Sequence, residues 1–267
     1  GGAFINGRTV TLSPYKIARY ETTYELWYEV KTWATSNGYT LDAAGAEGND
    51  GTIGAEPTTA RTEPVTFVSW RDIIVWCNAY SEMAGKTPVY YSNTGCTTLI
   101  KSLSDGNEVS ADTVYMKAGA SGYRLPTDAE WEAAARGGNT GNTTNWAYTY
   151  AGSNTIDDVA WYKSNAYDVG SGHADYGTHA VGTKTANLAG LHDMSGNVWE
   201  WCWDWYGDIS TGTVTDPTGA SSGSGRVIRG ASWSADASPH CTVFNRYGGP
   251  TYGRNGNDGF RVACKAE

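Results

Sequence analysis

Four tryptophans stand at every second position of one short segment, Trp199-Glu200-Trp201-Cys202-Trp203-Asp204-Trp205. Period two belongs to a strand, whose successive side chains point to opposite faces. Trp199, Trp201, Trp203 and Trp205 then form one face, a wall of indole, and Val198, Glu200, Cys202 and Asp204 form the other. The acids of that second face and of the preceding turn allow two readings. Asp193, Asn197 and Glu200 lie near backbone carbonyls, and hard oxygen ligands of this kind suit calcium, although the spacing is not that of an EF-hand. Alternatively the turn acids cap backbone amides and the Glu pairs with an Arg.

The first half of the chain carries three helix starts. Thr22 with Glu25 forms a capping-box pattern, followed by Leu26, Val30 and Trp33 and closed by Asn37-Gly38. Ser69 with Asp72 opens a second helix through Ile73, Val75, Trp76, Cys77 and Tyr80, which stops at Gly85. Pro126, Thr127 as cap and Glu130 open a third through Trp131 to Ala135, ended by Arg136-Gly137-Gly138. Beyond residue 138 the pattern changes to β-type runs, Arg226–Arg229 and Phe260–Ala263, amid long stretches of Gly, Ser, Asn and Thr. That half reads as ordered loops on a small strand framework, because tryptophans recur through it. Segments 42–60 and 94–117 read as polar, peripheral insertions. No linker or repeat divides the 267 residues, so one domain is expected, 40% hydrophobic and long enough for a real core.

Charge excludes some partners. Nineteen Lys+Arg against 28 Asp+Glu give a net charge of -9, which offers no grip on phosphate backbones or anionic lipid. No nucleic-acid partner is expected. Mean hydropathy is -0.46, and no apolar run approaches the roughly 20 residues of a membrane-spanning helix. Cys77, Cys96, Cys202, Cys241 and Cys264 form no CxxC pair and share no metal-like spacing with His173, His179, His192 and His240, so buried thiols are expected rather than zinc. The chain opens at Gly1 rather than Met and Gly1-Gly2-Ala3 shows no signal-peptide pattern, so a leader is expected outside it.

Four ordered blocks carry a resemblance. Tyr123-Arg124-Leu125-Pro126-Thr127-Asp128-Ala129-Glu130-Trp131-Glu132, Gly196-Asn197-Val198-Trp199-Glu200-Trp201, Arg229-Gly230-Ala231-Ser232-Trp233 and Gly259-Phe260-Arg261 resemble the RLPTEAEWE, GNVWEW, RGGSW and GFR blocks of the formylglycine-generating enzyme, or sulfatase-modifying factor, family. Val10–Tyr15, Tyr20–Thr23 and Pro64–Trp70 extend the likeness to the start of the chain. The resemblance implies an α+β chain with a C-type-lectin-like fold: a small antiparallel sheet, two to three helices and extensive irregular loops. It also implies a test for catalysis, because oxidising members carry two copper-binding cysteines shortly after the RGGS block. Here Ala235 stands at the first position and His240 at the second, with Cys241 one residue beyond. A soft Cu(I) site on two sulfurs cannot be built from Ala235 and a lone Cys241. No GxSxG elbow, HExxH or P-loop spacing replaces it, so neither copper nor catalysis is expected. The family's structural calcium maps onto Asp193, Gly196, Val198 and Glu200, and a second site maps near Asn154 and Thr155.

The segment between Trp233 and Gly259 mixes Tyr, Ser, Gly, Asn and His without periodicity, the composition of a paratope. Segment 229–262 is similar to the tail of the variable proteins of diversity-generating retroelements, which share the lectin-like fold. The fixed skeleton of such tails is matched here by Arg229, Gly230, Ser232, Trp233, Cys241, Asn245, Arg246, Pro250, Arg254, Gly259, Phe260 and Arg261. The resemblance then makes Ser234, Ala235, Asp236, His240, Thr242, Phe244, Tyr247, Gly248, Gly249, Thr251, Tyr252, Gly253, Asn255, Gly256, Asn257 and Asp258 the varying positions, with Trp233 beside them. It implies a non-catalytic, monomeric binding protein at the cell surface or outer membrane, held there as a lipoprotein, whose partner is a protein or other surface ligand. An oxidase with an altered site and a domain with one fixed partner are the competing readings.

Overall fold

The structure, a computed structural model, describes residues 2–58, 62–103, 113–138 and 146–266. Its first half runs β1 (Arg8–Thr11), β2 (Tyr15–Ile17), α1 (Tyr24–Ser36), β3 (Ala46–Glu47), β4 (Val65–Thr66), α2 (Trp70–Met83), β5 (Tyr90–Tyr91), β6 (Tyr115–Met116) and α3 (Asp128–Ala135). The second half holds α4 (Ile156–Val159), a π turn (Lys163–Tyr167), β7 (Trp199–Trp205), β8 (Gly212–Thr215), β9 (Arg226–Arg229), β10 (Tyr247–Gly249), β11 (Asp258–Gly259) and β12 (Ala263–Lys265). The class is α+β, with small sheets and much irregular chain. α4 and the π turn were not expected, since single turns leave no period to read.

The central sheet has four strands in the order β10-β9-β7-β11. It is antiparallel from β10 to β7, but β11 is added parallel to β7, placing Asp258 opposite Trp199 and Gly259 opposite Glu200. The alternation along β7 divides two cores. On the indole side Trp201 and Trp203 join Trp27, Trp70, Trp76 and Phe260, packed with α1 and α2. Trp27 and Trp76 stack at 5.8 Å with Phe260 edge-on to both. On the other side Cys202 joins Trp131 and Ala134 of α3 and Val227 of β9. Both faces of β7 are therefore covered, and Glu200 and Asp204 are buried with Cys202.

Two caps form as the sequence predicts. Ser69 and Asp72 make a reciprocal capping box on α2, and Thr127 and Glu130 make one on α3. The cap of α1 is Thr23, which accepts from Leu26 N, rather than Thr22. Thr22 is held in extended pairing, its N–H donating to Phe260 O at 2.8 Å and its carbonyl accepting from Val65 N at 2.9 Å. The expected box with Glu25 is lost to that link. The run Phe260–Ala263 also differs from expectation: only Ala263 enters a strand, β12, while the Phe260 and Val262 carbonyls accept from Thr22 and Ala18.

Segment 42–60 is not peripheral. Ala43, Ala46 and Glu47 are buried, Ala43 N donates to Asp72 Oδ1 at 2.9 Å, and Trp27 Nε1 donates to Ala44 O at 3.0 Å. Its composition is polar because its backbone serves the two helices. In the other supposed insertion Ile100 and Val114 are buried, while residues 104–112 lie outside the described residues, as do 59 and 60. All five cysteines are free thiols, with Cys77, Cys202 and Cys241 buried. No helix among the described residues is long and apolar enough to cross a membrane.

Candidate ligand-recognition surface

Four arginines of the C-terminal segment reach buried acids of the scaffold. Arg229 Nε lies 2.8 Å from Asp128 Oδ1, and its Nη2 donates to the Glu132 carboxylate. Arg246 Nε donates to Asp128 Oδ2 at 2.6 Å, so one aspartate serves two arginines. Arg254 forks onto Asp72 at 2.9 and 3.0 Å. Arg261 forks onto Glu200 at 2.7 Å through both nitrogens and gives its remaining N–H groups to Ala18 O, Arg19 O and His192 O. A guanidinium has five such donors, and here all are used. Burial opposes the charge on Arg229 and Arg261, yet the facing carboxylates more than offset it and hold both above the usual arginine value. Bidentate, charge-assisted pairs of this kind fix geometry as well as contributing energy.

Between these anchors the chain forms an open cleft of about 670 Å³. Of the positions that the sequence singles out, Ser234, Ala235, Asp236, His240, Tyr247, Gly248, Gly249, Gly253, Asn255, Asn257 and Asp258 line it. Trp199, Trp201, Ile228, Ser232 and Pro250 complete the lining. No local pattern marks Trp199 and Trp201 as cleft residues: long-range pairing sets Asp258 of β11 opposite Trp199, and Gly249 of β10 lies against the Trp201 ring. Phe244 and Tyr252 lie outside the lining but are exposed. Trp233 is buried between Tyr167 and Tyr176, at ring distances of 5.6 and 5.2 Å. Thr242 and Thr251 are also buried, the former donating to Pro239 O at 2.7 Å. Three glycines are tightly enclosed: a Cβ at Gly249 would come within 2.6 Å of the Trp201 ring, at Gly248 within 2.8 Å of Tyr206, and at Gly256 within 2.9 Å of Phe67.

Asp258 is 5% exposed. Burial pushes its carboxyl up to about 6, partly countered by the Asn255 amide, which donates to Oδ2 at 2.6 Å. The indole N–H of Trp201, the indole N–H of Trp233 and His240 Nδ1 are buried without a hydrogen-bond partner among the described residues.

Of the residues expected to hold calcium, both acids have partners within the chain as they are placed. Both oxygens of Glu200 are taken, by Arg261 and by Trp131 Nε1, which donates at 2.8 Å. Asp193 Oδ2 accepts from Gly182 N at 2.7 Å, leaving Oδ1 as the one buried oxygen of that pair without a partner. The turn also has a structural role. Asp193, Gly196 and Asn197 adopt positive φ, and a Cβ at Gly196 would meet Trp161 O at 2.1 Å. Burial, then Asp193 and Glu200, push the Glu21 carboxyl well above its usual range, and Glu21 accepts from Asn197 Nδ2 and Val198 N.

The chain is similar to known proteins over most of its length. A sulfatase-modifying factor enzyme 1-like domain matches residues 5–266. The chaperone protein LppX of Paenibacillus barcinonensis is 34% identical over 250 residues, covering 87% of this chain and 76% of that protein. The formylglycine-generating enzyme of Streptomyces coelicolor is 34% identical over 154 residues, 55% of this chain and 48% of the enzyme. Among solved structures, Treponema denticola variable protein 1 matches with a TM-score of 0.74 and 36% identity, covering 97% of this chain and 87% of that one. Fold, motif blocks and sequence agree, and the chain belongs to the sulfatase-modifying factor enzyme 1-like family, of which the formylglycine-generating enzymes are members.

Proposed function

We propose that the chain is a non-catalytic recognition protein whose cleft and rim, built from residues 234–258, form a diversified binding surface for a protein or other cell-surface ligand. The observation that carries this reading is the division of labour within the tail. Arg229, Arg246, Arg254 and Arg261 are tied to buried scaffold acids, while the loops between them supply most of the cleft lining. Such a segment can change its surface side chains while its anchors keep their geometry. The likeness to Treponema denticola variable protein 1 supports the same reading. So does Ala235, which stands where a second sulfur would be needed beside Cys241. Display at the cell surface through a lipid anchor is part of the proposal.

The test is genetic and direct. Sequences of this gene from sister isolates should differ at codons for the cleft and rim positions and agree at the four arginines, with adenines at the matching codons of a nearby template repeat. A constant tail, or no such repeat, overturns the diversification. The likeness to a protein called a chaperone favours a second reading, a recognition surface for one fixed partner, which a constant tail would support. The oxidase alternative would show itself by stoichiometric Cu(I) binding and oxygen uptake on a cysteine peptide.

A further inference from the structure

Resting on the recognition reading above, we propose that the cleft receives a basic side chain, Lys or Arg, carried by a polypeptide partner. Asp258 is its counter-ion, and Trp199 and Tyr247 form its aromatic wall.

The argument begins with what Asp258 lacks. Several buried acids around the tail are matched by cations, Asp72 by Arg254, Asp128 by Arg229 and Arg246, Glu132 by Arg229 and Arg136, and Glu200 by Arg261, whereas Glu21, Asp193 and Asp204 accept from N–H groups and do not line the cleft. Asp258 is buried to the same degree, yet the Asn255 amide is its one side-chain partner among the described residues. None of the residues lining the cleft is Lys or Arg. Two cations beside the lining are already engaged, Arg254 on Asp72 and Lys163 on Asp236, the latter at 3.1 Å. A desolvated carboxylate without a partner is costly, and an incoming cation removes that cost.

The walls suit the same guest. Trp199 and Tyr247 stand 6.2 Å apart between ring centroids at 38°, and Tyr247 is 61% exposed, so a cation has ring faces within reach of solvent. Such faces attract ammonium and guanidinium groups. At long range the net charge of -9 draws in a basic partner and repels an acidic one. These features together favour a polypeptide with a basic side chain over a phosphate, a carboxylate or an anionic lipid.

The experiment follows the tryptophan indole resonances of ¹⁵N-labelled full chain during titration with three blocked peptides, Ac-Gly-Arg-Gly-NH2, Ac-Gly-Gln-Gly-NH2 and Ac-Gly-Glu-Gly-NH2. The arginine peptide should shift the Trp199 and Trp201 signals saturably. Asp258→Asn should weaken that binding at least tenfold without collapsing the dispersion of the spectrum. Equal shifts from all three peptides, or a response to the arginine peptide that Asp258→Asn leaves intact, would overturn the proposal. Shifts from the glutamine or glutamate peptide alone would reject the cation and leave the recognition reading standing. Silence from all three also rejects the cation, and the isolate sequences, which do not depend on any ligand, then decide the recognition reading.

Discussion

Glu200 and Asp258 are carboxylates on neighbouring strands, both buried, and they meet opposite treatment. Glu200 faces α3 and the end of the chain, where Arg261 and Trp131 saturate it. Asp258 faces the cleft with one amide for company. Burial of charge is tolerated where geometry supplies hydrogen-bonded partners and is expensive where it does not. Several scaffold acids thus close on arginines of the tail, whereas among the described residues no cation meets the acid of the cleft. Two acids of similar burial thus have unlike surroundings on the two faces of the sheet.

The contrast can be broken most severely at Arg261. Arg261→Ala leaves Glu200 buried without its fork and strips three backbone carbonyls of their donor, and should cost about 3–5 kcal/mol in a urea melt. A loss under about 1 kcal/mol would mean that the pair does not hold the tail. Asp258→Asn should move stability the other way. Below pH ~4 the aspartate is neutral in both folded and unfolded chains. From there to about 6 the unfolded chain ionises first, so wild-type stability falls, and the full cost is present above that range. The variant lacks this slope and should gain roughly 1–3 kcal/mol at pH 7, with the gain vanishing near pH 4. Melts at the two pH values read the difference, and an equal effect at both would contradict a raised Asp258. The smallest effect is expected at Tyr247, which is largely exposed: Tyr247→Ala should change stability by no more than about 0.5 kcal/mol. A larger loss would make the rim part of the scaffold.

Much of this division was legible in the chain. The alternation of Trp199, Trp201, Trp203 and Trp205 announced a strand with unlike faces, and Ser69 and Thr127 marked their helices because cap chemistry is local. Thr22 misled, since its backbone is claimed by Val65 and Phe260, far away in sequence. The motif residues revealed family but not partnership: nothing in the sequence says that the Glu of Trp199-Glu200-Trp201 meets the Arg of Gly259-Phe260-Arg261, 61 residues on. For the same reason the sequence does not show that Glu200, read as a calcium ligand, also serves Arg261 and Trp131. Composition singled out the tail as recognition-like, and most of its marked positions line one cleft. It could not reveal that Trp233, Thr242 and Thr251 turn inward. Burial of a single side chain in an aperiodic loop depends on packing that no local pattern encodes.

Asp128 holds both Arg229 and Arg246, and with Asp72, Glu132 and Glu200 it makes a four-acid socket into which the last forty residues plug. A tail with the same four arginines should therefore be exchangeable between scaffolds that keep those acids. A scaffold that loses Asp128 would take a carboxylate from two arginines at once, the one at the entrance to the segment and the one halfway along it.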